Sequence, residues 1–190
     1  MNKIEDNIQE VTLWNVPLPA PAEVMVLDRR TWKRFVWKNI CIYAATNVFF
    51  NSVVPYHSFE QPEAVSLFQG TYCIARFLLP LAFFIPLLVT IDTSNKIRTL
   101  FRKKVAGFSL PEQFRFKQFL WKQSLLNACL TFLLTLCVMA VLQFAMPAGY
   151  TYNGFWVSGL MGIYAGAVAL YFMHRTIGQL RAAAVIRVGG

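Results

Sequence analysis

Apolar and polar positions alternate along this chain in long blocks rather than residue by residue. Four stretches are predominantly apolar: 37–55, 71–91, 121–146 and 155–174. A bilayer core of about 30 Å takes roughly 20 such residues as a helix. Each stretch therefore predicts one membrane-crossing helix. The first is the weakest, because Asn39, Asn47 and Asn51 fall inside it. The second contains Pro80 and Pro86, and each proline removes an intrahelical hydrogen bond and disfavours a straight helix.

Charge then orients the blocks. Every Lys and Arg except Arg76 falls before residue 39, within 96–122, or from 175 onward. The connections near 55–70 and 146–154 hold none. This is the positive-inside signature of four spans with both ends in the cytoplasm. Hydrophobic residues make up 56% of the chain and charged residues 14%, against roughly 25% charged in a soluble globule. The formal net charge of +9 fits anionic lipid headgroups at the inner face. It does not indicate nucleic acid, since no arginine-rich array or nucleic-acid motif accompanies it. The basic inner face is expected to centre on Arg102, Lys103 and Lys104.

The chain also resembles itself. Trp32-Lys33-Arg34-Phe35-Val36-Trp37-Lys38-Asn39 aligns with Phe116-Lys117-Gln118-Phe119-Leu120-Trp121-Lys122-Gln123. The same shift lays Phe68–Tyr72 over Tyr152–Trp156, and one residue out of register Phe59–Pro62 lies over Phe144–Pro147. The expected fold is all-α: a polytopic membrane protein whose four helices form two duplicated hairpins. Each hairpin has an even number of spans, so both face the same way, about a pseudo-two-fold axis along the membrane normal. Trp32, Trp37 and Trp121 are expected at the inner interface, and Tyr56, Tyr72, Tyr150, Tyr152 and Trp156 at the outer one.

The predicted organisation is a proline-containing cytoplasmic leader over 1–27, a first hairpin with its basic segment over 28–104, and a second hairpin with a basic tail over 105–190. Asp28 or Thr31 would cap the first helix. The segment 93–118, basic with interleaved phenylalanines, reads as an interfacial helix broken near Gly107–Pro111.

Three groups of residues invite a role. Ser158, Gly162 and Gly166 recur every four residues with Gly159 beside them, which lets two helix backbones approach closely. This face is expected to pack within the chain, with a second chain as the other use. Arg76 is the one basic residue out of place, a short way into the second span, and could snorkel to the headgroups. Alternatively it pairs with Asn47 and Asn51 as an intramembrane polar cluster, or with Glu60 or Glu63 of the outer connection. Asp92 is expected to cap the exit of the second span. Cys41, Cys73, Cys129 and Cys137 form no C-x-x-C and read as reduced, buried packing residues. His57 and His174 lie a membrane apart, so no metal or haem site is expected, and no cofactor. No nucleophile–base set is legible.

These features predict a non-enzymatic integral membrane protein of the bacterial inner membrane. Its expected role is that of an accessory or assembly subunit of a larger complex, contacting other membrane subunits or a second copy. The alternative is a small transporter or channel with an outward cavity near Arg76.

Overall fold

The computed structural model describes residues 29–102 and 114–185. They form four long helices: α1 (Arg29–Ser58), α2 (Ile74–Arg102), α3 (Phe116–Ala145) and α4 (Gly154–Val185). The fold is all-α, and α2, α3 and α4 are each long and apolar enough to cross a membrane. The leader over 1–27, Asp28, Lys103 and Lys104 lie outside the described residues.

The helices are longer than the apolar stretches that announce them. At 1.5 Å per residue, thirty residues reach about 45 Å, some 15 Å more than a hydrocarbon core. The excess lies at the basic end. α2 runs on to Arg102, because nothing between Asp92 and Arg102 interrupts a helix: neither Pro nor Gly occurs there. The first part of the expected interfacial helix over 93–118 is thus the final turns of α2. Thr31 lies inside the first turn of α1 rather than capping it. Trp32 sits under the Arg181 guanidinium, 4.7 Å from its ring centre, so this helical extension packs on the end of α4.

At the other end the two connections pair with each other. Val65 and Tyr152 exchange both backbone hydrogen bonds at 2.8 Å, an isolated antiparallel bridge. Gly70 and Gly149 take the left-handed backbone conformation (φ 89° and 78°) that turns each connection, which side chains disfavour. Gly154, laid over Gly70 by the sequence match, instead opens α4. A methyl there would meet Pro62 O at 2.8 Å, so it is glycine because the first connection presses on it.

The packed pairs are α1 with α4, α2 with α3, and α2 with α4. The helices therefore lie in the order α1–α4–α2–α3, and each hairpin's first helix packs on the other hairpin's second. Exchanging α1 with α3 and α2 with α4 leaves this set of pairs unchanged, as a two-fold relation between hairpins requires. One apolar core joins α1, α2, α3 and α4 toward the basic end, around Tyr43, Ile85, Ile97, Leu120, Ala169 and Met173. A second, around Phe59, Val65, Ile74, Met139 and Met161, closes the loop end.

α1 falls short of the apolar character of the other three for a geometric reason. Asn39, Tyr43, Asn47 and Asn51, spaced by four, lie on its buried or half-buried stripe. Ile42, Phe49, Phe50, Val53 and Val54 face outward. Its polar groups lie in the bundle seam, and its outward face is apolar.

Candidate functional site

The small-residue stripe of α4 is used inside the chain. A Cβ on Gly162 would stand 2.6 Å from Val48 O and 1.9 Å from Ser52 Oγ, and one on Gly166 would stand 2.7 Å from Val48 Cγ2. Ser158, buried on the same stripe, donates its hydroxyl back to Gly154 O at 2.6 Å. Gly159 is one step round the helix and meets nothing within 4 Å. Close backbone approach is what fastens helices where lipid removes the hydrophobic drive, and here it fastens α4 to α1.

Arg76, Asn47 and Asn51 are occupied separately. Arg76 donates to Thr71 O at 2.6 Å and lies over the Tyr72 ring, 5.4 Å from its centre. Asn47 and Asn51 each donate to the carbonyl four residues back, Tyr43 O and Asn47 O, both at 2.8 Å. None of these bonds joins the arginine to the asparagines. Arg102 ends α2. Of the cysteines, only Cys73 is buried; Cys41, Cys129 and Cys137 are exposed on the bundle surface, because they fall on outward stripes of α1 and α3.

A different polar cluster forms where the sequence offered only an isolated acid. Asp92 does not cap α2; it sits within the helix and pairs with Lys96 at 2.6 Å, one turn on. Tyr43 of α1 donates its hydroxyl to the Asp92 carboxylate and lies 3.3 Å from Thr93 Oγ1. Lys96 also donates to Asn39 Oδ1 at 2.9 Å. Five residues from α1 and α2 thus tie the two helices together at the basic end. The i, i+4 spacing of Asp92 and Lys96 is visible in sequence; their partners on α1 are not. A second tie joins α2 to α3, where buried Asn127 donates to Thr90 Oγ1 at 3.2 Å and accepts from Gln123 at 3.1 Å.

α3 and α4 are consecutive but do not pack along their length, and a groove of about 730 Å³ runs between them. Its walls are facing stripes: Leu130, Leu134 and Val138 on α3, and Leu160, Val168 and Tyr171 on α4. Part of α2, Ile74 and Leu78, closes the loop end. Most of these wall residues are exposed at the groove's rim, so it opens sideways. Midway the Thr135 and Tyr164 hydroxyls lie 2.7 Å apart. At the basic end Arg175 lines the groove and donates to Tyr171 Oη at 3.3 Å. At the loop end the Tyr152 hydroxyl is buried without a partner.

Among the described residues no group of His, Cys, Asp and Glu could hold a metal ion. Comparison with known protein families, characterised proteins and solved structures finds no match for this chain.

Proposed function

We propose that this is a non-enzymatic integral membrane protein, an accessory or assembly subunit of a larger complex in the bacterial inner membrane. Its basic end faces the cytoplasm, as the positive-inside bias directs. The supporting observation is how the intramembrane polar side chains are spent. Asn39, Asn47, Asn51, Ser124, Thr131 and Ser158 each donate to a carbonyl of their own helix. Tyr43, Asp92, Lys96, Thr90 and Asn127 join helix to helix, Lys96 through Asn39. Polar groups arranged this way build a rigid bundle rather than a path for a hydrated solute. Such a bundle acts by presenting apolar helix faces to neighbours in the membrane, and α3, packed on α2 and otherwise outward-facing, offers Leu126, Leu133 and Val141.

Photo-crosslinking side chains placed at Leu126 and Leu133, compared with the buried Ala128, test this in native membranes. The expected result is one recurrent protein adduct from the two outward positions and none from Ala128. Absence of any protein adduct, together with solute flux in liposomes of the pure protein, would favour the transporter alternative.

A further inference from the structure

We infer that the groove between α3 and α4 is a binding site for an anionic phospholipid of the leaflet at the basic end, with its phosphate on Arg175 and an acyl chain lying along the groove.

Size admits an acyl chain. The groove holds about 730 Å³. A methylene takes roughly the room of a water, about 30 Å³, so a sixteen-carbon chain fills on the order of 480 Å³. Length agrees. Arg175 and Tyr164 are eleven residues apart on α4, about 16 Å, close to half the hydrocarbon thickness. A chain hanging from a headgroup at Arg175 therefore ends near the Thr135–Tyr164 pair, having passed only Leu130, Leu134, Val168, Phe172 and their neighbours.

Charge selects the headgroup. Arg175 lies at the end of the groove, and among the described residues the one ion pair is Lys96–Asp92, so no described carboxylate neutralises it. The guanidinium presents a planar fork suited to phosphate oxygens. The Tyr171 hydroxyl accepts from Arg175 and keeps its own hydrogen to donate to a second oxygen. Lys96, Arg98 and Arg181 at this end are engaged with Asp92, the Phe116 ring and the Trp32 ring. Anionic lipids gather at cytoplasmic basic segments in general; the groove adds a fixed seat for one of them. This occupancy does not depend on a partner complex.

The test is native mass spectrometry of the full-length protein in detergent, titrated with phosphatidylglycerol or phosphatidylcholine, each with sixteen- to eighteen-carbon chains. The parent protein should retain one phosphatidylglycerol with about five-fold preference over phosphatidylcholine, the expectation for one interfacial cation. Arg175→Gln should bring the preference close to one, while Arg181→Gln leaves it unchanged. Ala167→Trp, which fills the groove from an exposed rim position, should abolish retention of both lipids with helical content intact. Equal loss in Arg175→Gln and Arg181→Gln would show general charge attraction and overturn the site. So would unchanged retention in Ala167→Trp, or a co-purifying polypeptide adduct whose crosslinks map to Val168 and Leu134.

Discussion

Gly162 of α4 lies so close to Val48 of α1 that a Cβ on the glycine would stand 2.6 Å from the valine's carbonyl oxygen. The neighbour is backbone and cannot rotate away, so even alanine there forces the helices apart. Overpacking of this kind costs about 1–3 kcal/mol. Gly159→Ala, with open space around it, gains helix propensity instead, roughly 0.5–1 kcal/mol. Thermal unfolding in detergent should therefore move down for Gly162→Ala and hold or rise for Gly159→Ala. Equal midpoints would remove the α1–α4 seam.

The Tyr43–Asp92–Lys96–Asn39 cluster should act mainly through its hydrogen bonds. The Lys96 and Asp92 side chains are 36% and 47% exposed, so solvent screening limits the ion pair itself to about 0–1 kcal/mol. Tyr43→Phe keeps the ring packing and loses the bond to a charged acceptor, a cost of about 1.5–3 kcal/mol. The expected order of destabilisation is Tyr43→Phe above Lys96→Met. A reversed order in urea or heat unfolding would show that the Lys96 bond to Asn39, not the tyrosine, holds α1 to α2.

Asn127 and Thr90 form a buried interhelical bond at 3.2 Å. Such bonds within membranes average about 0.6 kcal/mol and reach about 1.7. A double-mutant cycle of Asn127→Ala with Thr90→Val should show coupling in that range. Coupling indistinguishable from zero would mean α2 and α3 are held by apolar contact alone.

The Val65–Tyr152 bridge makes a covalent prediction. A hydrogen-bonded antiparallel pair sits about 5.5 Å apart at Cα, inside the span a disulfide tolerates. In a variant with the native cysteines replaced, Val65→Cys with Tyr152→Cys should crosslink within one chain under mild oxidation, seen as a mobility shift reversed by reductant. Failure to crosslink would separate the two connections.

Orientation can be read from the same chemistry. A membrane-impermeant maleimide on intact cells should label Tyr150→Cys and leave Gly178→Cys unlabelled until the cells are opened. Labelling of both from outside would break the assignment of the basic end to the cytoplasm.

Sequence alone determined the helix count and approximate spans, and it led to the expectation of a cytoplasmic basic end, because hydropathy and charge placement act locally: each segment's transfer into lipid depends on its own residues. The spacing of Ser158, Gly162 and Gly166 was legible for the same reason, since helical periodicity puts them on one stripe. Only the tertiary structure decided which helix that stripe meets. It also decided that Asn39 and Tyr43 reach Lys96 and Asp92 across α1 and α2, that Arg76 turns to Thr71 rather than to Asn47 or Asn51, and that α3 and α4 part to leave a groove. Those outcomes depend on the order α1–α4–α2–α3. That order comes from backbone approach and side-chain fit between segments distant in sequence, which no local pattern of residues encodes.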